Sequence, residues 1–149
     1  MIQKAALCDV LPWLQALSVA HHEETSPTDT PLSIDWSLLT DMDVNGGLLC
    51  LVACTDQIVG YSLHILSSHP LYGELWATPI ALYVKPSARH LGFGRQLIER
   101  AEAECRLRDV AVLCEVSPAG LAPLGVLLSG LGFHKAESLW IKRLPVLSH

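Results

Sequence analysis

The run Val84-Lys85-Pro86-Ser87-Ala88-Arg89-His90-Leu91-Gly92-Phe93-Gly94-Arg95 holds the residue types that bind anions. Residues 80–84 read as a strand, which passes through a short polar loop into an amphipathic helix. The first backbone N–H groups of a helix have no partner inside it, and the summed peptide dipole places partial positive charge there. Glycines at 92 and 94 keep Cβ atoms away, so those amides can close around a phosphate or pyrophosphate, with Arg89 and Arg95 adding formal charge. A Gly-x-Gly before a helix is by itself more often a structural turn than a ligand loop, so the elements around it decide.

Residues 2–7 read as a strand, and Asp9 then caps a helix whose apolar positions Val10, Leu11, Trp13, Leu14 and Leu17 recur at helical spacing. Pro12 is tolerated only in a first turn, which sets where that helix starts. Residues 21–31, from His21-His22-Glu23-Glu24 to Pro31, read as loop. A second short helix, capped by Ser33 and carrying Ile34, Leu38 and Leu39, ends before Asn45-Gly46-Gly47. The apolar runs 48–54 and 58–66 form an antiparallel hairpin across Thr55-Asp56-Gln57, and a strand within 74–84, kinked or started by Pro79, leads to the glycines.

The helix after the glycines is expected to bury Phe93, Leu97, Ile98, Ala101 and Cys105. It should expose Glu99, Arg100, Glu102, Glu104, Arg106 and Arg108, with Glu102–Arg106 and Glu104–Arg108 as pairs four apart. Residues 110–116 follow as a buried parallel strand reached by a right-handed crossover. A very apolar helix at 122–130 ends at Leu131-Gly132-Phe133, with the glycine left-handed. Residues 134–144 supply one or two last strands, Trp140-Ile141-Lys142-Arg143-Leu144 being the final one.

Arg-x-x-Gly-x-Gly directly after a strand and proline resembles the acyl-CoA pyrophosphate loop of the GNAT superfamily of N-acetyltransferases. Leu-Gly-Phe after the fourth helix is a second point of similarity. The element order β-α-α-β-β-β-α-β-α-β(-β) is that of the GNAT fold, though residue-level matching is confined to about 80–97 and 110–144. The resemblance implies an α/β (α+β) chain with a mixed six- to seven-stranded sheet flanked by about four helices. It implies one domain over 1–149, with 21–43 as a variable substrate-side segment and 80–107 as the acyl-CoA-binding strand, loop and helix. The polar segment ahead of this core is similar to that of short members encoded by tailed phages and prophages.

By the same resemblance the co-substrate is acetyl-CoA and the reaction is direct attack by an amine, with no covalent enzyme intermediate. Leu82, Tyr83 and Val84 would pair with the pantetheine amides as an added strand. The amides of Arg89, His90, Leu91, Gly92, Phe93, Gly94 and Arg95 would take the pyrophosphate. A main-chain N–H near Val84 would stabilise the tetrahedral oxyanion, worth on the order of 3 kcal/mol in other enzymes.

The chain departs from the family in its proton-transfer groups. Ile80 stands where many members carry a basic glutamate, and Leu128 where many carry an acidic tyrosine; the usual asparagine is replaced near Gly120 or Leu121. An amine with pKa about 10.4 must lose a proton near neutrality, at a cost of roughly 4 to 5 kcal/mol, so a substitute base or water chain is expected. Glu74, Glu24 and His64 are candidates, and each also reads blandly, the acids as solvated surface charges and His64 as a hydrogen-bonded strand residue. Tyr83 and Ser129 could protonate the leaving thiolate. The competing class is a catalytically inactive GNAT-fold module that binds acyl-CoA or a partner protein.

Composition narrows the classes further. A chain of 149 residues, half of them hydrophobic, can bury a core without staples, and a net charge of −5 argues against a nucleic-acid binder. No run is long enough to span a bilayer and no signal peptide is apparent, so no membrane partner and a cytoplasmic location are expected. The cysteines at 8, 50, 54, 105 and 114 read as buried reduced thiols.

His21-His22-Glu23 lacks a further ligand at fixed spacing, so no metal is expected. Ser117 sits outside any G-x-S-x-G elbow, and Glu115, placed as a ribose-binding acid would be, lacks the tight glycine turn of a dinucleotide site. Glu23, Glu24, Asp29, Asp35, Asp41 and Asp43 suit a cationic amine acceptor or are simply solvated. The apolar helix at 122–130 is either sandwiched within the fold or pressed against another subunit, so a homodimer using this surface or the last strands is expected.

Overall fold

The structure, a computed structural model, describes residues 1–25, 31–117 and 122–146. It divides into two units, Met1–Val116 and Ser117–His149. The first runs β1 (Ile2–Lys4), α1 (Leu7–Thr25), α2 (Trp36–Val44), β2 (Leu48–Cys54), β3 (Ile58–Ser68), β4 (Leu75–Val84), a 3₁₀ turn (Pro86–Leu91), α3 (Phe93–Leu107) and β5 (Val112–Leu113). The strands make one sheet in the order β1-β2-β3-β4-β5. The first four are antiparallel neighbours and β5 joins β4 in parallel, so the sheet is mixed.

β2 is apolar without interruption because both of its faces are covered. Leu49, Leu51 and Ala53 point to α3 and share a core with Val59, Ala77, Val84, Phe93, Leu97 and Ala101. Leu48, Cys50 and Val52 point the other way and share a core with Leu7, Leu14 and Leu17 of α1 and Leu39 of α2. The fold class is α+β, as the sequence implies, but the sheet among the described residues has five strands rather than six or seven.

The missing strands are those expected at 134–144. No ladder forms there among the described residues, and Leu139, Trp140 and Ile141 are 86%, 92% and 85% exposed. Strand-like composition without a neighbour to bond makes no strand. The strand expected at 110–116 is likewise reduced to Val112–Leu113.

α1 differs from expectation at both ends. It begins at Leu7, so Pro12 lies inside the helix beyond its first turn. The start is set from a distance, because the Leu7 N–H donates to Asp43 Oδ2 at 2.8 Å from the end of α2. At its other end the helix takes in His21, His22, Glu23 and Glu24, which composition alone places in a loop. His21 gives the reason, since its ring stacks on Tyr83 at 4.7 Å and bonds the Tyr61 hydroxyl at 3.2 Å.

α2 is capped by Asp35, whose carboxylate accepts the Leu38 N–H at 2.9 Å, and not by Ser33. On α3, Glu104 is buried rather than exposed and pairs with Arg100 at 3.1 Å, not with Arg108. The Glu102–Arg106 pair forms, at 3.5 Å. Cys8 is exposed and Cys54 and Cys114 are half-buried, so burial holds fully only for Cys50 and Cys105.

The second unit contains α4 (Ala122–Gly130). Phe133 N–H donates to Leu128 O and Gly132 N–H to Ser129 O, both at 3.1 Å, with Gly132 at φ +91. This is the left-handed glycine stop anticipated from Leu-Gly-Phe. Ser129 is exposed and Leu128 buried.

Candidate active site

β4 and β5 run together only briefly and then part. They pair at Trp76–Val112 and Ala77–Leu113, and the last bond is from Cys114 N–H to Ala77 O at 2.9 Å. Among the described residues, β4 continues to Val84 with β3 as its one strand neighbour. Leu63 faces Ala81 while His64 faces Pro79, so Ile80 is an extra residue, a bulge that bends the strand where it loses its neighbour. Beyond the bulge, Lys85 N–H donates to Val59 O at 2.8 Å. In an antiparallel ladder the alternate residues bond to the opposite side, which turns the amides and carbonyls of Leu82 and Val84 toward the edge that β5 has left. Arg89 Nε occupies the Val84 carbonyl, so among the described residues the fork offers Leu82 and the Val84 N–H to an extended, amide-bearing ligand.

The glycine run lies at the end of this edge. Gly92, at φ +76, is the last residue of the 3₁₀ turn's cap and the N-cap of α3. The first bond of α3 is from Gln96 N–H to Gly92 O at 3.2 Å, leaving Phe93, Gly94 and Arg95 N–H without helical partners. The amides of Arg89, His90 and Leu91 belong to the 3₁₀ turn, which opens with Ala88 N–H bonded to Lys85 O at 2.9 Å. A Cβ at Gly94 would meet no atom within 4 Å, so packing inside the chain does not demand a glycine there.

The side chains of Val84 and Phe93 are core, with Leu82 packed against them, so these three can serve a ligand through the main chain. His90 and Leu91 are exposed. Arg95 is exposed and bonds Glu99 at 2.7 Å.

Arg89 folds back over β4. Its Nε donates to Val84 O at 2.9 Å, its guanidinium lies 5.6 Å from the Tyr83 ring centroid, and it pairs with Glu24 at 2.6 Å. The Tyr83 hydroxyl donates to the other Glu24 oxygen at 3.2 Å. The Arg89 hydrogen bond holds the Glu24 carboxyl below its usual range, whereas burial first and the Glu24 bond second push the Tyr83 phenol up. His21 is lowered, chiefly by burial, against the opposing pull of Glu24.

Of the sequence candidates, Glu24, Tyr83 and Arg89 therefore come together. Glu74 does not join them; it is exposed, just before β4, and accepts the Trp76 indole N–H at 3.3 Å. Nine residues of extended chain separate Glu74 from Tyr83, on the order of 30 Å.

His64 is elsewhere again, buried on β3, where its Nε2 lies 2.5 Å from Glu115 Oε1. Gly60 was not singled out in the sequence. A Cβ there would come within 2.9 Å of Tyr83 O and 3.1 Å of Val84 Cγ2, so glycine is what lets β3 approach the edge-forming end of β4. Among the described residues no three His, Cys, Asp or Glu side chains gather as metal ligands, and no helix is long and apolar enough to cross a membrane.

The sequence model of the Acetyltransferase (GNAT) family matches residues 10–133. No curated protein matches the chain. Among solved structures, a probable acetyltransferase aligns with TM-score 0.76 at 18% identity, covering 100% of this chain and 99% of that one. A ribosomal-protein-alanine N-acetyltransferase from Brucella melitensis biovar Abortus 2308 aligns with TM-score 0.73 at 17% identity, covering 97% and 99%. An aminoglycoside acetyltransferase from an uncultured soil metagenomic sample, solved in complex with sisomicin, aligns with TM-score 0.72 at 15% identity, covering 99% and 96%.

Proposed function

Because the chain belongs to the GNAT acetyltransferase family, we propose that it transfers an acetyl group from acetyl-CoA to an amine, a small molecule or a protein, by direct attack. The observation that carries this reading is the fork, a strand edge bared at Leu82 and the Val84 N–H and ending on the free amides of Phe93, Gly94 and Arg95. An acyl-CoA has amides along its pantetheine arm and a pyrophosphate at its end, which fits that order of donors. The Val84 N–H then serves the thioester oxygen as negative charge develops on it. The amine nitrogen bonds to the carbonyl carbon, the carbon–sulfur bond breaks, and the departing thiolate takes up a proton.

Glu24 is placed to recognise a cationic acceptor, with Arg89 as its partner until the acceptor arrives. Tyr83, held protonated by burial and by Glu24, is the proton donor to the thiolate. One GNAT domain over 1–149 is part of the reading, the family match running through both units. So are a cytoplasmic location, suited to free cysteines, and a homodimer joined through the exposed Leu139, Trp140 and Ile141. A monomeric mass in sedimentation at micromolar concentration overturns the dimer.

Titration calorimetry with acetyl-CoA, followed by a free-CoA release assay over a panel of amines that includes aminoglycosides and peptide N-termini, tests the central claim. Binding with release on at least one amine is expected. Binding without release for any amine favours the inactive acyl-CoA-binding module, which the replaced Ile80 and Leu128 positions would suit.

A further inference from the structure

Arg89 lies across the end of the fork. Its Nε donates to the Val84 carbonyl at 2.9 Å and its Nη2 pairs with Glu24 Oε1 at 2.6 Å, so one side chain ties the end of β4 to the last turn of α1. The carbon joining those nitrogens lies 5.6 Å from the centre of the Tyr83 ring, whose hydroxyl holds the other Glu24 oxygen at 3.2 Å. Both groups that Arg89 occupies are ones a ligand would use. An extended ligand added to a strand takes its carbonyls as well as its amides, and a cationic acceptor needs a carboxylate whose charge is not already offset. The tie stands at the surface, with the Arg89 side chain 46% and the Glu24 side chain 35% exposed, so breaking it leaves no sealed charge behind. Arg95, the other cation of the glycine run, bonds Glu99 on its own helix, so the tie between elements belongs to Arg89.

We infer that Arg89 is a latch that acetyl-CoA opens: an N–H of the arriving pantetheine arm takes the Val84 carbonyl, the guanidinium turns to the pyrophosphate, and Glu24 is bared for a cationic amine. This rests on the acyltransferase reading above and sets when Arg89 leaves Glu24, at the arrival of the co-substrate and ahead of the acceptor. The exchange is between like bonds. Arg89 gives up a carbonyl and a carboxylate and gains a pyrophosphate, held by amides that begin four residues further on at Phe93. A guanidinium forms forked bonds to phosphate oxygens as well as to carboxylate.

The latch couples the two ligand sites. Closed, it offsets the charge of Glu24 where an ammonium group would dock, and it covers the last carbonyl of the β4 edge. Open, it leaves Glu24 with the Tyr83 hydroxyl as its partner and a charge available to the amine. Acetyl-CoA and a cationic amine therefore favour the same open state, and each raises the affinity of the other.

Titration calorimetry with acetyl-CoA compares wild type, Glu24→Gln, Arg89→Met and the double variant, with Glu23→Gln as a control that removes an equal charge beside the latch. Glu24→Gln should bind acetyl-CoA about 3-fold more tightly than wild type or Glu23→Gln, within the range of an exposed ion pair. In the Arg89→Met background the same change should give no such gain. Equal affinities for Glu24→Gln and Glu23→Gln overturn the latch, and so does an equal gain with and without Arg89, which marks a plain charge effect. The fastest amine of the panel should bind wild type about 3-fold more tightly when coenzyme A is present, a gain that Arg89→Met loses. No gain in wild type overturns the coupling. Nitrogen NMR needs no acceptor: the Nε–H signal that is missing from Arg89→Met should shift in wild type as coenzyme A saturates it. A signal that stays put while coenzyme A binds overturns the latch alone, whereas absence of acetyl-CoA binding by wild type and every variant sinks the acyltransferase reading and the latch with it.

Discussion

Gly94 separates what the fold needs from what a ligand needs. Its added Cβ would stand in open space and its backbone is ordinary helix, whereas Gly92 is left-handed at φ +76 and would be strained by any side chain. Gly94→Leu should therefore leave the melting temperature unchanged or slightly higher, since leucine outranks glycine in helices by somewhat under about 1 kcal/mol. The same change should weaken acetyl-CoA binding at least 10-fold in calorimetry, by obstructing the approach to the free amides. Equal affinity would remove the pyrophosphate assignment.

Single residues were legible where chemistry is local. The two glycines and their following helix could be read directly, but the partners of Arg89 could not. Glu24 and Tyr83 reach it from positions 65 and six residues earlier, and nothing in the chain near Arg89 announces either. Glu24 was legible only as one acid among several in a polar segment. The pairing of His64 with Glu115 also depends on strand register, and a bulge at Ile80 changes that register in a way composition does not encode.

Elements with repetitive patterns were read well and their ends poorly. β2 and α4 fall where their apolar runs lie, and α3 follows its helical stripe. The start of α1 and the persistence of its last turn are both tertiary, fixed by Asp43 and by the tyrosines around His21. The tail at 134–144 shows the converse, a strand-like sequence to which no ladder comes.

The end of α3 yields a prediction at this scale. Asp109 sits at φ 56, with Val110 N–H bonded to Cys105 O at 3.0 Å, so it occupies the left-handed position of the helix stop that α4 fills with Gly132. Asp109→Gly relieves that backbone and should raise stability by about 0.5–1 kcal/mol, or roughly 1–4 °C in a thermal melt. A fall in melting temperature would show that the aspartate makes a compensating contact.

For the molecule as a whole, pH dependence follows from His21. Its folded-state pKa is lowered from 6.5 by burial, so the unfolded chain binds the proton more readily than the folded one. Stability is therefore fully present above pH 6.5 and is lost as pH falls through that value toward the lower folded pKa. Glu24, also lowered, adds a second loss only in the carboxylate range. Thermal melts should decline between about pH 7.5 and about pH 5, and His21→Phe should flatten that interval, since phenylalanine keeps the stacking and cannot charge. An unaltered slope would place the titration elsewhere.

The brevity of β5 has a consequence for how this protein can be studied. Among the described residues, a sheet whose last strand is joined by two residue pairs is unfinished along the rest of β4, and on the proposed reading an acyl-CoA adds rungs there. Such a ligand heat-stabilises its host with the logarithm of its concentration over Kd, by about 2.7 kcal/mol at a hundredfold excess over Kd. Acyl-CoAs of different chain length can then be ranked by melting shift alone, before any acceptor is known.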